Sequence, residues 1–434
     1  MDRTSRRDFF RTSAGATAGM AAWLSLGKAP AYAQKRALTF LSWNHFVPAS
    51  DDELRRQAEA FGKQAGVAVR VDTIAHLQLP AKFAAEAQAQ SGHDLVINGG
   101  STTFLYESQL VDVGDVVDDL GKRHGGYYPF SRDAALTASG WRAVPWFWIS
   151  VPGSYNQAHF RKAGFEPPRT WDELLRQGKV LKQHGHPVGI AVSHTNDANA
   201  TFWSVLWSYG GKVIEADGKT PAINSDQTAQ VIEWYKELYR DAMEPEVLSW
   251  DDASNNRFLL SGKGSWIHNA ISPYNAALAK KMPIADDINH HPSLAGPGGV
   301  YSGAPIVSVA VWKFSKNVGL AKEFLRFLFQ KDNYAAWIVA SNAFNHPPLR
   351  HFADHPIWTS NPKFAMLPRE EQYVRARGWP AKPNAAVNLI EVNFVLPDML
   401  AKAINGMPTR RAMEWAHEQV ALAVRGKLRT AGTA

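Results

Sequence analysis

Strand and helix patterns alternate after position 37, and this alternation limits the possible folds more than any other feature of the chain. Residues 37–41 form an apolar strand pattern, residues 50–61 repeat at helical spacing, and the valines of 67–71 alternate as in a half-buried strand. A helix pattern over 81–90 and a short apolar strand at 95–97 follow. This order predicts a parallel, doubly wound α/β sheet. Ligands of such sheets bind beyond the carboxyl ends of the strands.

A second series of strands and helices extends from near Val144 to the C-terminus. Its strand patterns lie at 188–192, 266–267 and 306–311. Side chains that can cap free backbone N–H groups predict helix starts at Ser50 with Glu53, Thr170 with Glu173, and Thr409. The helical spacing of apolar residues over 231–239 predicts a further helix that begins near Ser225. The length of 434 residues and the second series together indicate more than one domain.

Composition and charge exclude several classes of protein. The 45% apolar and 20% charged content is that of a folded globular chain. Residues 34–434 hold 42 Lys and Arg against 38 Asp and Glu, a mild excess that does not indicate nucleic-acid binding. The chain has no Cys, which excludes disulfides, cysteine nucleophiles and Cys-based metal sites. We therefore expect no cofactor, no resident metal and no nucleic-acid partner.

The first 33 residues have the three parts of an export signal. The pair Arg6-Arg7 precedes two aromatics, the 13-residue apolar or small run 14–26 follows, and Ala31-Tyr32-Ala33 is a small-x-small cleavage pattern. Paired arginines before aromatics are typical of the twin-arginine type, which exports folded proteins. We predict cleavage after Ala33 and a periplasmic location. The run is too short for a spanning helix.

Ordered motifs in the middle of the chain resemble bacterial extracellular solute-binding proteins of the first family, the sugar receptors of ABC importers. The motifs are Val144-Pro145 to Ser154-Tyr155-Asn156, Phe160 to Gly164, Pro167-Pro168, Thr170 to Leu174, Phe258 to Gly262 before Ser265-Trp266, Ser315 to Asn317 before 321–329, and Asn405-Gly406. Gly153-Ser154 departs from the pattern, because the family usually places two apolar residues there.

This resemblance implies a two-lobed periplasmic-binding-protein fold of type II, similar to maltose-binding protein, with doubly wound sheets joined by a three-crossing hinge. Placed on this chain, lobe one would be 34–148 and 304–342, and lobe two 149–303 and 343–434. The ligand would lie between lobes that close over it. The expected partners are a small sugar ligand and the membrane permease subunits, and the expected state is a monomer.

The candidate ligand residues follow from the chemistry of a sugar together with this resemblance. Hydroxyls suit Asn, His and Ser, and sugar faces suit aromatic rings; fifteen tryptophans follow residue 33, more than a core needs. The candidates in loops after predicted strands are Trp43, Asn44, His45, Asn98, Gly99, Ser101, His194, Asn196, Asn199, Asn269 and Ser272. Further candidates are Trp146 and Trp148, expected to share one face of a strand, with Tyr301, Asn393 and Phe394.

Three interpretations of the cargo and class stay open from the residues. The leading one is a receptor for a neutral sugar, oligosaccharide or polyol, since the candidate loops carry few charges. The same receptor fold could carry a glycerol phosphate, a polyamine or a metal ion. A periplasmic carbohydrate-active enzyme is the third interpretation, because the paired carboxylates that it needs cannot be located from sequence.

Overall fold

The computed structural model describes residues 37–429. Its strands, in chain order, are β1 (Ala37–Trp43), β2 (Ala68–Ile74), β3 (Leu95–Gly99), β4 (Leu136–Thr137), β5 (Gly140–Trp141), β6 (Val144–Trp148), β7 (Gly153–Asn156), β8 (Val188–Gly189), β9 (Trp266–His268), β10 (Ile288–His291), β11 (Ala295–Gly296), β12 (Gly299–Val300) and β13 (Ile306–Val311). The predicted export signal lies outside the described residues.

Helices cover these strands throughout the chain. They are α1 (Pro48–Ala65), α2 (Leu79–Ala89), α3 (Thr102–Leu105), α4 (Gly114–Arg123), α5 (Pro129–Asp133), α6 (Gln157–Lys162), α7 (Trp171–Gln183), α8 (Asn196–Ser208), α9 (Asp226–Ala242), α10 (Ser254–Leu260), α11 (Ser272–Ala279), α12 (Val318–Leu328), α13 (Lys331–Ala340), α14 (Ala385–Val392), α15 (Val395–Ile404) and α16 (Thr409–Val424). Short 3-10 turns replace helices over much of 343–384. Within residues 37–429, no helix combines the length and apolarity needed to cross a membrane.

The first sheet has the strand order β2-β1-β3-β13-β6. β1 pairs in parallel with β2 and β3, as the alternating pattern predicts. The prediction of an all-parallel sheet is wrong at β13, which runs antiparallel to both β3 and β6. The chain enters β13 from the side of the second sheet, and not through a helical crossover on the first sheet. A parallel neighbour requires such a crossover, so β13 can pair antiparallel.

The second sheet is smaller and has the order β10-β7-β9-β8. β8 and β9 are parallel, while β10 and β9 flank β7 antiparallel. The predicted strand 188–192 is shorter than expected, because only Val188 and Gly189 pair with β9. The backbone then turns away, and the Val192 N–H donates to the Val247 carbonyl.

Trp146 and Trp148 do not share one face of β6, contrary to the expected alternation. The pairing of β6 with β13 shifts register between Val307 and Ser308, which marks a β-bulge. Trp146 stacks on Trp337 at 4.6 Å between ring centroids, whereas Trp148 lies in a separate apolar cluster. The extra residue of a bulge reverses the facing of the side chains that follow it.

Most of the tryptophans pack in the core. Of the fifteen that follow residue 33, twelve are buried and none is exposed within the described part of the chain. The expectation of spare tryptophans is therefore wrong. Burying an aromatic side chain removes 150–250 Å² of surface from water, which makes these residues a major part of the core.

Of the three predicted helix caps, the one at Thr170 is confirmed, and the helix expected near Ser225 also begins there. Thr170 accepts from the Glu173 N–H at 3.0 Å, and Ser225 accepts from the Thr228 N–H at 3.3 Å. The other two are wrong. Helix α1 begins at Pro48, which leaves Ser50 inside its first turn, and Thr409 follows the cap position Pro408, with its hydroxyl bonded to Glu233 instead. Proline at a helix start needs no N–H partner, so it can displace the start from a nearby serine or threonine.

Three segments lie side by side between the two sheets. They are 149–152 between β6 and β7, 301–305 between β12 and β13, and 341–347 after α13. Trp148 and His346 exchange backbone hydrogen bonds of 2.9 and 2.8 Å, and the Ile149 N–H donates to the Pro305 carbonyl at 3.0 Å.

Gly303 in the second connection is expected to tolerate no side chain. A Cβ there would lie 2.7 Å from the Trp203 Cβ and 2.8 Å from the Ala200 carbonyl oxygen, both on α8. We predict that Gly303→Ala lowers the free energy of unfolding by about 1–3 kcal/mol through overpacking, as measured by thermal and urea unfolding. Gly319→Ala, where no atom lies within 4 Å of the added carbon, is the matched control. Equal stability of the two variants would contradict the packing argument.

Candidate functional site

The parallel strands of the first sheet bring three polar and aromatic loops to one edge. Trp43 ends β1, His76 follows β2, and Gly100 follows β3. The Trp43 ring lies 5.6 Å from the His76 ring and 5.5 Å from the ring of Phe46, whose side chain is 37% exposed. This edge therefore presents an aromatic surface beside polar groups.

The His45 ring at this edge is neutral and forms a hydrogen bond through each of its two nitrogens. Its Nδ1 accepts from the Val47 N–H at 2.9 Å, which places the ring proton on Nε2, 3.1 Å from the Asn345 Oδ1. Burial lowers the pKa of His45 to about 4. Asn44 beside it is exposed, and its backbone N–H donates to the Ile74 carbonyl.

The loop after β3 lies close to Glu391 of helix α14. The Asn98 amide donates to the Thr103 hydroxyl at 3.0 Å, and Gly99 is half-buried. Gly100 has φ of 56°, and a Cβ there would lie 3.0 Å from the Glu391 Oε2. Both the backbone angle and this approach favour glycine. The buried Ser101 hydroxyl has no hydrogen-bond partner in residues 37–429.

The parallel strands β8 and β9 bring a second set of amides to one edge of the other sheet. Asn269 follows β9, and its amide donates to the Asn256 Oδ1. Asn256 in turn donates to the hydroxyl of Ser272, the first residue of α11, at 3.1 Å. Asn269 and Ser272 thus belong to one hydrogen-bonded group, and Asn256 is a member that the sequence analysis missed.

Two carboxylates lie beside the start of α8. The Asn196 N–H donates to Asp252 at 2.8 Å, and the Asn255 amide donates to Asp197 at 2.6 Å. Burial is the main cause that raises the pKa of Asp197 to about 7, with the neighbouring Asp252 second. Burial also raises the pKa of Asp252 to about 6. Arg377 lowers both pKa values.

A buried ion pair, which the sequence analysis did not identify as a pair, joins these groups. Arg377 donates to Glu391 at 2.6 Å and to the Asn196 Oδ1 at 3.0 Å, and both charged side chains are less than a tenth exposed. The Asn199 amide donates to the Glu391 carbonyl at 3.2 Å, while its Oδ1 has no partner in the described chain. Arg377 also lines, with Gly100, a cavity of about 10 Å³, the space of one water molecule.

The first-sheet edge contacts helix α14 directly. The Asn388 amide of α14 donates to the Thr102 hydroxyl at 3.1 Å. Together with the approach of Gly100 to Glu391, this bond closes one end of the space between the two sheet edges. Arg377 lies in a segment of short 3-10 turns with no periodic pattern, so no sequence signal marks it. For Glu391, the only signal in the sequence is its position close to the candidates Asn393 and Phe394.

His194 and Phe394 form a stacked aromatic pair. Their rings lie 4.7 Å apart and 7° from parallel, and the His194 Nε2 is 2.7 Å from the Asp398 Oδ1. Phe394 has φ of 51°, and its N–H donates to the Glu391 carbonyl. Asn393 ends α14, where its amide donates to the Leu389 carbonyl at 2.8 Å.

The structure places the remaining candidates in packing around the connections. Trp146 is buried against Trp337, and the Trp148 ring N–H donates to the Pro347 carbonyl at 3.0 Å. Tyr301 stacks on Trp379 at 5.2 Å. These three side chains are thus held by their neighbours, apart from the amides and carboxylates of the two edges. Within residues 37–429, no cluster of three or more His, Asp or Glu has the arrangement of a metal site.

The carboxylate pair predicts a specific dependence of stability on pH. A carboxyl whose folded pKa is raised binds more protons in the folded than in the unfolded state, so stability falls as pH rises from about 4 to about 7. We predict that Asp252→Asn removes part of this fall, measured by urea unfolding between pH 5 and 7.5. Asp217→Asn is the control, because hydrogen bonds lower the pKa of Asp217 to about 2, outside this window. An unchanged slope in Asp252→Asn would contradict the assignment.

The proteins to which this chain is similar in sequence include binding proteins. A binding protein of Brucella abortus is 27% identical over 183 residues, 41% of this chain and 44% of that protein. The arabinooligosaccharide-binding protein of Bacillus subtilis is 27% identical over 219 residues, 48% of this chain and 47% of that protein. The chain thus spans about half the length of these relatives.

The fold is shared with solved receptors at low sequence identity. An ABC transporter solute-binding protein of Thermotoga lettingae, bound with α-D-tagatose, superposes with a TM-score of 0.80 at 17% identity, covering 90% of this chain and 100% of that one. Such a likeness shows the two-lobed fold. The family model for bacterial extracellular solute-binding proteins matches residues 56–366, most of the sequence. The chain therefore belongs to the bacterial extracellular solute-binding proteins.

Proposed function

We propose that this protein captures a neutral sugar, oligosaccharide or polyol between two lobes and delivers it to the membrane permease subunits of an ABC importer. The proposed lobes are 34–148 with 304–342, and 149–303 with 343–434. The observation that carries the proposal is the pair of facing sheet edges. One edge presents the exposed Phe46 ring packed on the buried Trp43, and the other presents the amides and hydroxyls around Asn269.

The electrostatics of the site favour an uncharged cargo. The charge of Arg377 is already compensated by Glu391, and its Nη2, which has no partner among residues 37–429, is left as a donor for a neutral hydroxyl. Burial of an unpaired ion would cost several kcal/mol. A phosphate cargo would need a free cationic side chain, and a polyamine would use Asp197 and Asp252, whose raised pKa values disfavour their charged forms. Hydroxyls instead match the mixed amide donors and acceptors present.

Sugar cargo also agrees with what the similar proteins bind. The Bacillus subtilis relative is named for arabino-oligosaccharides, and the Thermotoga lettingae structure holds tagatose. We propose that this chain acts in the same way, as a monomeric receptor without catalysis. Rotation about the three connections would close the lobes on the ligand.

We also propose export to the periplasm by the twin-arginine route, with cleavage after Ala33. The support is the order of Arg6-Arg7, the apolar run 14–26 and Ala31-Tyr32-Ala33. A receptor that collects solutes for an importer acts outside the cytoplasmic membrane, so this route agrees with the proposed function.

We predict that a matching sugar raises the melting temperature and reduces the radius of gyration. Ligand at a hundred times its dissociation constant stabilises the folded state by about 2.7 kcal/mol. A thermal-shift screen of sugars, polyols, polyamines and phosphoesters, followed by solution scattering, tests this. Affinity is expected to change little with salt. Stabilisation only by phosphoesters, polyamines or metal ions, with steep salt dependence, would contradict the sugar proposal.

For the identified sugar, Trp43→Ala is expected to cost about 1–3 kcal/mol of binding free energy, because the exposed Phe46 ring loses the ring on which it packs. Asn269→Ala is expected to cost about 0.5–1.5 kcal/mol through loss of hydrogen bonds. Trp415→Ala, which removes a half-buried tryptophan on α16, is the control. Calorimetry on variants whose folding is verified by circular dichroism measures the change. Parental affinity in both site variants would show that the ligand binds elsewhere on the protein.

Replacing Arg6 and Arg7 by Lys is expected to block twin-arginine export, because that route recognises the arginine pair. Cell fractionation should then show precursor in the cytoplasm. An unchanged periplasmic fraction would rule out this route, and an unchanged N-terminus at residue 34 in that fraction would still support the cleavage site.

A further inference from the structure

A hydrogen bond between α3 and α14 joins the two sheet units away from their three connections. The Asn388 amide of α14 donates to the Thr102 hydroxyl of α3 at 3.1 Å. We infer that this bond is a latch between the proposed lobes: it forms when they close, so Thr102 and Asn388 set the affinity for ligand without touching it. The inference rests on the proposed function and adds two positioning residues that are not among the candidate ligand residues.

The two helices of the latch belong to different sheet units. Helix α3 follows β3 of the first sheet. Helix α14 packs against α15 and α16, and these two helices contact α8 and α9, which lie between β8 and β9 in the chain. Thr102 and Asn388 are also far from residues 149–152, 301–305 and 341–347 in sequence, so the contact between them is not imposed by the connections.

The surfaces around the latch approach each other without merging into one core. The Glu391 Oε2 lies so close to Gly100 that a Cβ there would be 3.0 Å from it. A cavity of about 10 Å³, the space of one water molecule, nevertheless remains between the two surfaces. Its lining comes from both units, namely Gly100, Ala134 and Ile306 on one side and Ala376, Arg377 and Pro383 on the other. Protein cores are packed with few such voids, so this contact has the character of a separable interface.

The chemistry of the contact is polar, as expected for surfaces that separate. Thr102 and Asn388 can exchange their mutual hydrogen bond for bonds to water when the units move apart. Burial raises the pKa of Asp133 on α5, and the charge of Lys382, from the other unit, opposes this rise. Opposite charges thus face each other beside the latch.

A bond made only in the closed arrangement changes affinity through the closed population. Apparent affinity falls in proportion to the fraction of protein that is competent to hold the ligand. A sugar held by both lobes leaves after they open, so loss of the latch acts mainly on the dissociation rate. A residue that served only to stabilise one unit would change the melting temperature and leave the dissociation rate unchanged.

Sugar binding to Thr102→Val tests the latch, because valine keeps the shape of threonine and removes its hydroxyl. The probes are glucose, xylose, arabinose, tagatose, maltose and ribitol, and the one that raises the melting temperature most is used in surface plasmon resonance. We expect affinity to fall about two- to ten-fold, the size expected from one hydrogen bond. The dissociation rate should carry this change, with the association rate within about two-fold of the parent.

Three further variants separate the latch from general effects of substitution. Thr102→Ser keeps the hydroxyl and should bind like the parent. Thr359→Val removes an exposed hydroxyl that donates to the Pro356 carbonyl at 3.2 Å within its own turn, and should also bind like the parent. Asn388→Ala combined with Thr102→Val should weaken binding no more than the stronger of the two single variants, because both remove the same bond.

A cross-link tests the closed arrangement without any sugar. The chain has no Cys, so a double variant with Thr102→Cys and Asn388→Cys contains only the two thiols of the latch. Cross-linking them with a short bis-maleimide should reduce the radius of gyration of the ligand-free protein in solution scattering. The cross-linked protein should then show no further reduction when sugar is added.

Either an unchanged radius after cross-linking or parental sugar affinity in Thr102→Val would overturn the inference and leave the proposed function intact. In the first case the contact is permanent packing, and in the second it contributes nothing to affinity. If none of the probes binds but the cross-link still reduces the radius, the proposed sugar receptor is wrong while the closing contact stands.

Discussion

The buried ion pair between Arg377 and Glu391 is the interaction on which the rest of the site depends. Arg377 also donates to the Gly303 carbonyl at 3.3 Å, which ties the pair to one of the three connections. Glu391 contacts α8 through the Asn199 amide. Removal of one partner from a buried pair leaves an uncompensated charge and typically costs about 3–5 kcal/mol. The pair therefore holds a connection, two helices and the binding edge in one arrangement.

The same pair sets the electrostatics of the space between the sheets. Loss of solvent is the main cause that lowers the pKa of His76 to about 4, and the Arg377 charge adds to it. With His45 also neutral, the aromatic edge carries no charge at neutral pH from these two rings. The charge pairing and the neutral histidines thus both support the uncharged polar cargo that we propose.

Features set by nearby residues could be predicted from the sequence, whereas features set by distant contacts could not. The Thr170 cap, the helix start near Ser225 and the parallel β1, β2 and β3 depend on local chemistry and periodicity. The direction of β13 depends on how the chain returns from the second sheet. The bulge beside Trp146 has no sequence mark, and Arg377 comes from a segment of short turns without periodicity. Loops after strands could be predicted as part of the candidate site, but Arg377 and Glu391, which connect its groups, come from 370–395.

The backbone at Phe394 has an unfavourable positive φ that orients the Phe394 ring. Its φ of 51° is left-handed, a region that costs an ordinary residue about 1–2 kcal/mol and suits glycine or asparagine. Asn393, directly before it, keeps a negative φ of -95° at the end of α14 instead. The strained angle lets the chain turn into α15 within one residue and lays the Phe394 ring flat on His194, which Asp398 holds from the next turn. This stacking offsets part of the strain and fixes the orientation of an aromatic ring three residues from Glu391.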